Sequence, residues 1–269
     1  MRTSNPSIQY ADRIFGIAML FLLFSFLAFI LIDFFNFLDI QNRLIQKLDI
    51  PYFWYHWFLI PLEVPLQWYI LGAALGFFML IAGTFHERRE RNAYAFWLII
   101  GIGVILMFVE DAGDVRHALR HYVEKLSGET TYGFIGSTFE LFYFAVIAGI
   151  ITYALVRYRE VWLKEKITKK YFTIAYIFYG LSVGFSFLGA AYSSVMGFSL
   201  YDLSGNYFME LLFINDEESR LIYEHAKTFA RIDFCLMDML VEESLEFVGA
   251  AALLAAGAGY WHQNKRNQP

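Results

Sequence analysis

The segment MDMLVEESLEFVGAAALLAAGAGYW, residues 237–261, decides the fold of this chain. Its later part, from Phe247 to Tyr260, contains no charged residue, whereas its earlier part contains the carboxylates of Glu242, Glu243 and Glu246. A carboxylate inside the hydrocarbon layer of a membrane is unfavourable unless it is paired, protonated or bound to a cation, so such residues mark functional sites. The segment therefore predicts a membrane-spanning helix with a functional site at one end.

The composition places the chain among integral membrane proteins. Of its 269 residues, 58% are hydrophobic and 20% are aromatic, whereas soluble domains contain about 45–50% apolar residues. The single cysteine, Cys235, excludes an intramolecular disulfide, a CxxC redox motif and a thiolate zinc finger.

Six apolar stretches are long enough to cross the hydrocarbon core of a membrane, which takes about 20 helical residues. They are residues 14–35, 66–85, 93–113, 132–156, 171–196 and 236–261. The segment Pro51–Pro65 is aromatic, short and interrupted by prolines, and we expect it to be interfacial or re-entrant. The predicted fold class is all-α, an integral membrane bundle of six transmembrane helices that forms a single domain over residues 1–269.

The distribution of charge predicts the orientation of this bundle. The N-terminus, the connections after the second and fourth spans and the C-terminal tail hold 13 of the 21 Lys and Arg residues. The positive-inside rule therefore places both termini in the cytoplasm of a multi-pass cell-membrane protein. Only five of the 26 acidic residues fall on that side, so the outer face, with an acidic loop at 198–231, is predicted to be acidic. Such a face concentrates cations, although it equally fits the simple solubility of an external loop.

The carboxylates of the last span are predicted to lie in the outer half of the membrane. Glu246 is 15 residues from Trp261, the expected inner aromatic anchor, which corresponds to about 22 Å along a helix. Asp238, Glu242 and Glu246 follow one another at intervals of four residues and so share one helical stripe. Glu243 is expected on a neighbouring face.

The outer end of the third span carries the sequence EDAGDVRHALRH, residues 110–121. Its polar residues recur with the spacing of one helical face. The acidic and histidine residues on that predicted face are Glu110, Asp114, His117 and His121. Asp111 falls to the side of the face, and Glu110 is expected at the depth of Glu246.

Glu140 brings a third helix to the same depth, because it lies 8 residues inside the outer end of the fourth span, or about 12 Å. Carboxylates and imidazoles on facing helices hold iron, manganese or zinc in helical bundles. Asp114-x-x-His117 has the spacing of the Glu-x-x-His pair found there, with Asp in place of Glu. The predicted metal ligands are Glu110, Asp114, His117, Glu140, Glu242 and Glu246. The residues expected to orient those ligands or to carry protons are Asp111, His121, Asp238 and Glu243.

The leading prediction is a membrane protein that binds Fe, Mn or Zn, with metal-dependent catalysis on an apolar or lipid substrate as one form of this function. Three alternatives stay open. In the first, Arg116, Arg120 and Arg231 neutralise the acidic residues in a structural network. In the second, the acidic residues form a cation or proton pathway. In the third, the protein is an accessory subunit without chemistry of its own. The inner halves of the third and sixth spans carry no ionisable side chain, which disfavours the pathway.

Other classes of function are disfavoured because the sequence lacks their motifs. It contains no phosphate-binding glycine loop, no H-E-x-x-H or G-x-S-x-G motif and no basic nucleic-acid face. No haem, flavin, nucleotide or retinal is indicated. The expected partners are the lipid bilayer, a cation or an apolar small molecule, and either a second copy of the chain or another subunit of a membrane complex.

Small residues in the last two spans predict close helix packing. Ser182, Ser186, Ala190 and Ser194 recur every four residues in the fifth span, and the sixth span contains the run GAAALLAAGAG. Small side chains let helices approach closely in a membrane. We therefore expect a tight bundle around the carboxylates, or packing against another protein.

Overall fold

The computed structural model describes residues 6–31, 63–85, 91–113, 115–128, 134–196, 200–212 and 236–266. These residues are almost entirely helical, and none of them forms a strand. The all-α prediction is therefore confirmed. Helices suit a chain of this hydropathy, because every backbone polar group inside a bilayer needs a partner within its own segment.

The described residues form nine α-helices, and a π-helical segment directly precedes the last of them. In chain order they are α1 (Pro6–Phe29), α2 (Glu63–Phe85), α3 (Arg91–Gly113), α4 (Val115–Ser127), α5 (Phe134–Arg157), α6 (Arg159–Lys164), α7 (Lys166–Met196), α8 (Leu200–Leu212), the π-helical segment Leu236–Glu242 and α9 (Glu243–Arg266).

Four helices in this part of the chain are long and apolar enough to cross a membrane. These stretches are Pro6–Ala28, Leu66–Phe85, Arg91–Gly113 and Phe134–Arg157. They support a multi-pass membrane protein. The predicted spans 171–196 and 236–261 also fall on helices, namely α7 and the π-helical segment with α9. Their crossing of the membrane stays a prediction.

Two helices begin earlier than the hydropathy predicts. α1 begins at Pro6 rather than at residue 14. α2 begins at Glu63, so its first turn overlaps the predicted interfacial segment Pro51–Pro65, and residues 51–62 lie outside the described part of the chain. Proline is compatible with the first turn of a helix, since its missing N–H has no intrahelical partner there. Both helices therefore extend past their apolar stretches.

Part of the predicted acidic loop at 198–231 is a helix. α8 occupies Leu200–Leu212, while residues 213–231 lie outside the described residues. The Tyr201 side chain is only 3% exposed, and α8 packs against the π-helical segment and α7. Burial of one face thus stabilises a helix where charge alone predicts a solvated connection.

α9 lies at the centre of the bundle, with α1, α2 and α7 packed around it. Its small residues make this possible, because alanine and glycine leave the helix surface low enough for close approach. The fully buried residues of α9 are Phe247, Ala250, Ala251, Ala252, Ala255 and Ala256. The small-residue run therefore packs against helices of this same chain, which is the tight bundle expected from the sequence.

Two glycines of α9 mark the closest contacts. A Cβ atom at Gly259 would lie 2.6 Å from Cγ2 of Ile167 on α7 and 2.9 Å from Cβ of Ala11 on α1. A Cβ atom at Gly249 would lie 2.6 Å from Cδ2 of Tyr179 on α7. Neither position has room for a side chain, so glycine fixes the distance between α9 and its neighbours.

The two ends of the described chain meet at one end of the bundle. The hydroxyl of Ser7 on α1 lies 3.0 Å from Nδ1 of His262 on α9, and Nζ of Lys170 lies 2.7 Å from Oδ1 of Asp12. Glu246 is 16 residues before His262, which places it about 24 Å away along α9. The carboxylates of the last span therefore lie towards the opposite end of the bundle.

Replacing Gly259 by valine is expected to destabilise the bundle, because the new side chain has to displace α1 and α7. Overpacking of this kind costs about 1–3 kcal/mol. Gly149→Val on α5 is the matched control, since no atom lies within 4 Å of the position of its Cβ. The midpoint of thermal unfolding in detergent should fall for Gly259→Val only, and equal midpoints for the two variants would contradict the packing of α9.

Candidate functional site

Two arginines of α4 hold two of the predicted ligands. Nε of Arg116 lies 3.3 Å from Oε1 of Glu110 and 3.8 Å from Oε1 of Glu140. Nη1 of Arg120 donates a hydrogen bond of 2.9 Å to Oε1 of Glu140. Burial opposes the charge of Arg116, but the surrounding carboxylates, Glu110 foremost, raise the pKa of this guanidinium above its ordinary value. For Glu110 and Glu140, the salt-bridge alternative describes the geometry better than direct ligation of a metal.

The two histidines of α4 contact carboxylates of this same network. Nε2 of His117 lies 3.5 Å from Oε1 of Glu140, and Nδ1 of His121 lies 3.3 Å from Oε2 of Glu124. Glu124 is buried and also lies 3.8 Å from Nε of Arg120. We call these residues of α3, α4 and α5 the arginine network; they are Glu110, Arg116, His117, Arg120, His121, Glu124 and Glu140.

A second cluster joins Asp111, in the last turn of α3, to Glu243 and Glu246, in the first turn of α9. Each residue of this carboxylate triad offers one oxygen, and these oxygens all lie within 4.8 Å of one another. Residues three apart are neighbours on a helix surface, which explains why Glu243 and Glu246 point to one place. The expectation that Glu243 lies apart from Glu246 therefore differs from the structure.

The two glutamates of the triad have different surroundings. Oε1 of Glu246 accepts a hydrogen bond of 2.7 Å from the hydroxyl of Ser182 on α7. Oε2 of Glu243 is buried and has no hydrogen-bond partner among the residues that the structure describes. Leaving a buried carboxylate oxygen without a partner is unfavourable. Within the described residues, the triad thus includes one buried acceptor without a hydrogen-bond partner.

Glu242 belongs to neither cluster. It is buried, and its Oε2 accepts a short hydrogen bond from the hydroxyl of Tyr201 on α8. Burial and the negative charge of Glu242 raise the pKa of Tyr201 well above its usual range, so this phenol stays protonated as the donor. Asp238 lies half-buried one turn earlier, in the π-helical segment.

The π-helical segment Leu236–Glu242 changes the register of the acidic residues. Its backbone hydrogen bonds join residues five apart, whereas those of an α-helix join residues four apart. The predicted stripe of Asp238, Glu242 and Glu246 assumes α-helical spacing throughout. Such segments are rare and frequently lie at functional sites, and this one leads directly into the first turn of α9, where Glu243 and Glu246 lie.

A cavity of about 240 Å³ lies beside the triad. Glu110, Asp111 and Glu246 line one part of it, and the remaining lining is largely apolar. Tyr179 also lines the cavity, and its buried hydroxyl has no hydrogen-bond partner in the described part of the chain. Its ring fits against α9 because position 249 is glycine.

The structure therefore divides eight of the ten predicted site residues among three environments. Glu110, His117, His121 and Glu140 lie in the arginine network, and Glu242 bonds to Tyr201. Asp111, Glu243 and Glu246 form the triad, Asp238 lies before it, and Asp114 lies outside the described residues. Their roles as metal ligands stay predictions.

Sequence reasoning missed two residues of this region. The spacing pattern marks Ser182 only as part of a small-residue stripe, although its polar side chain in an apolar helix is a signal in itself. Tyr179 carried no signal, because tyrosines are frequent in this chain. Its importance follows only from its position beside Gly249 and the triad.

Comparison of the chain with protein-family models, with curated proteins and with solved structures finds no match. The function is therefore inferred from the geometry of these clusters.

Replacing Arg120 by alanine is expected to destabilise the protein strongly, because it leaves Glu140 and Glu124 buried with less compensation. Breaking a buried ion pair costs about 3–5 kcal/mol. Lys164→Ala is the matched control, since it breaks the exposed pair with Glu160, at 3.8 Å, and exposed pairs contribute little. Thermal unfolding should distinguish the two variants, and an unchanged midpoint in Arg120→Ala would argue against the network as a structural element.

Proposed function

We propose that this multi-pass membrane protein binds one divalent metal ion at Asp111, Glu243 and Glu246. The observation that carries the proposal is the convergence of three carboxylates from two helices. At metal–oxygen distances of about 2.1–2.5 Å, two oxygens on one hard cation lie up to about 5 Å apart. Oxygens within 4.8 Å of one another are compatible with one shared ion.

Electrostatics supports a cation at the triad. Three carboxylates in an apolar bundle repel one another unless protons or a cation compensate their charge. Arg116 makes ion pairs with Glu110 and Glu140, and its charge also acts on Glu246. One guanidinium does not balance all of these carboxylates. Oε2 of Glu243 is buried without a hydrogen-bond partner in the described part of the chain, and a metal ion would compensate it directly.

The ligand chemistry favours manganese among the three metals expected from the sequence. Carboxylate oxygens suit Mg²⁺, Ca²⁺ and Mn²⁺, whereas zinc sites usually include imidazole or thiolate ligands. Both histidines of α4 contact carboxylates of the arginine network. We therefore propose Mn²⁺, with Ser182 orienting the ligand Glu246 through its hydrogen bond.

A bound metal ion in this position would serve chemistry on an apolar substrate. It would act as a Lewis acid within a bundle that excludes bulk water. The cavity beside Asp111 and Glu246 offers space for a small molecule next to the ion. We therefore propose that the protein is a metal-dependent enzyme, and we assign no particular reaction to it.

A cation pathway across the membrane is less well supported by the packing. Beyond Glu246, the described core of α9 consists of buried apolar residues between Phe247 and Tyr260. An ion leaving the triad towards the other end of the bundle would have to pass through this packed alanine face. Binding therefore fits the described residues better than conduction.

Metal analysis of the purified protein tests the proposal. We expect about one Mn²⁺ per chain, and an affinity at least about tenfold lower in Glu243→Gln and Asp111→Asn, because each variant removes a charged ligand. Glu160→Gln, which changes an exposed glutamate on α6, is the control. His117→Ala should keep the metal if the triad is the site.

Two results would contradict this site. One is a well-folded protein that binds no divalent metal. The other is a metal that is lost in His117→Ala and retained in Glu243→Gln, which would return the site to the ligand set predicted from the sequence.

We also propose that the chain crosses the membrane six times with both termini in the cytoplasm. The contact between Ser7 and His262 at one end of the bundle supports an even number of crossings. A peptide tag after Pro269 should be cleaved by protease in inverted membrane vesicles and protected in intact cells. Cleavage in intact cells would contradict this orientation.

A further inference from the structure

We infer that the cavity beside the triad binds one hydrocarbon chain that ends in a neutral oxygen-bearing group, as in a long-chain alcohol. This inference rests on the proposed metal site, because two of its ligands, Asp111 and Glu246, line the polar part of the cavity together with Glu110.

The shape of the cavity fits a chain that lies parallel to the helices. Its lining extends from Phe172 to Val183 on α7 and from Leu141 to Leu155 on α5, which is about 16–21 Å of helix. One leaflet of a bilayer core is about 15 Å thick. The volume of about 240 Å³ exceeds the about 150 Å³ of an apolar cavity that binds benzene. The space therefore matches a lipid chain better than a compact molecule.

Several residues that line the cavity on α5 and α7 also lie on the exposed surface of the bundle. Leu141 and Tyr176 line it and are 38% and 50% exposed, and Ala148 and Gly180 at the same surface have small side chains or none. In a membrane these exposed apolar surfaces face lipid. A chain can therefore enter from the bilayer without passing through water.

Tyr179 supplies the polar contact for the end of the chain. Buried tyrosine hydroxyls usually have a hydrogen-bond partner, yet this one has none among the described residues. The close fit of its ring against Gly249 holds the hydroxyl beside the triad. A ligand oxygen would complete the hydrogen bonding of Tyr179 and would lie near the proposed ion.

Charge and hydrogen bonding together favour a neutral end group, because a protonated amine has no lone pair to accept a hydrogen bond from Tyr179 or to bind a metal ion. Glu110, Asp111 and Glu246 line the polar part of the cavity, and one divalent ion does not cancel the three charges of the triad. An anionic end group would therefore meet repulsion. A hydroxyl oxygen can accept a hydrogen bond from Tyr179 and bind a metal ion without this penalty.

Photolabelling of the full-length protein in nanodiscs tests the chain site. The probe is hexadecanol with a diazirine in its chain, and mass spectrometry locates the labelled residues, which we expect on α5 and α7. Gly180→Leu should lower labelling at least about tenfold, because the leucine side chain occupies the cavity. Gly184→Leu is the matched control, because both glycines are exposed with no atom within 4 Å of the Cβ position, and only Gly180 lines the cavity.

A second variant tests the polar contact. Tyr179→Phe should weaken labelling about two- to tenfold, the effect of one lost hydrogen bond. Binding of Mn²⁺ should persist in Gly180→Leu and Tyr179→Phe, whereas Glu243→Gln should bind Mn²⁺ at least about tenfold more weakly and keep the labelling of α5 and α7.

The outcomes separate the two proposals. Labelling of equal strength in Gly180→Leu and Gly184→Leu, or labelling located away from α5 and α7, overturns the chain site. If Mn²⁺ does not bind while the probe still labels the cavity in a Gly180-dependent way, the metal site fails and the chain site stands.

Discussion

The packing of α1, α2 and α7 against the small residues of α9 is the constraint on which the rest of the structure depends. Alanine and glycine let three helices lie against one, so α9 stands at the centre of the bundle. Glu243 and Glu246 occupy the first turn of that helix and are carried into the interior with it. The position of the carboxylates is therefore a consequence of the alanines that follow them.

The acidic end of the bundle compensates its charge in three different ways. Two arginines neutralise Glu110 and Glu140, and a phenol donates to Glu242. The triad has Ser182 as a neutral donor, and one buried oxygen of Glu243 has no partner among the residues that the structure describes. Buried charges are tolerated when they are paired or bound to metal. The triad is a candidate site because its negative charges are less fully compensated than those of the arginine network around it.

The sequence predicted the helices well, because segments that enter a bilayer must be apolar and helical along their whole length. The third predicted span, 93–113, and α3, Arg91–Gly113, differ by two residues at one end. The sequence also names Glu246 as a candidate ligand, and the structure brings it together with Asp111 and Glu243; its role as a ligand stays a prediction. Two features decide which carboxylates lie close together. They are the ion pairs that Arg116 makes and the register of the π-helical segment, and helical periodicity predicts neither of them. The position of the Tyr179 ring depends on Gly249 of α9, which leaves space for it.

The π-helical segment has a consequence for how this chain tolerates changes of length. Because its turns are wider than those of an α-helix, deletion of one residue between Leu236 and Glu242 can be absorbed by tightening it into an ordinary α-helical turn. The residues from Glu243 onwards would then keep their interlocking with α1, α2 and α7. The segment can therefore absorb a change of one residue in chain length while α9 keeps its position against its neighbours.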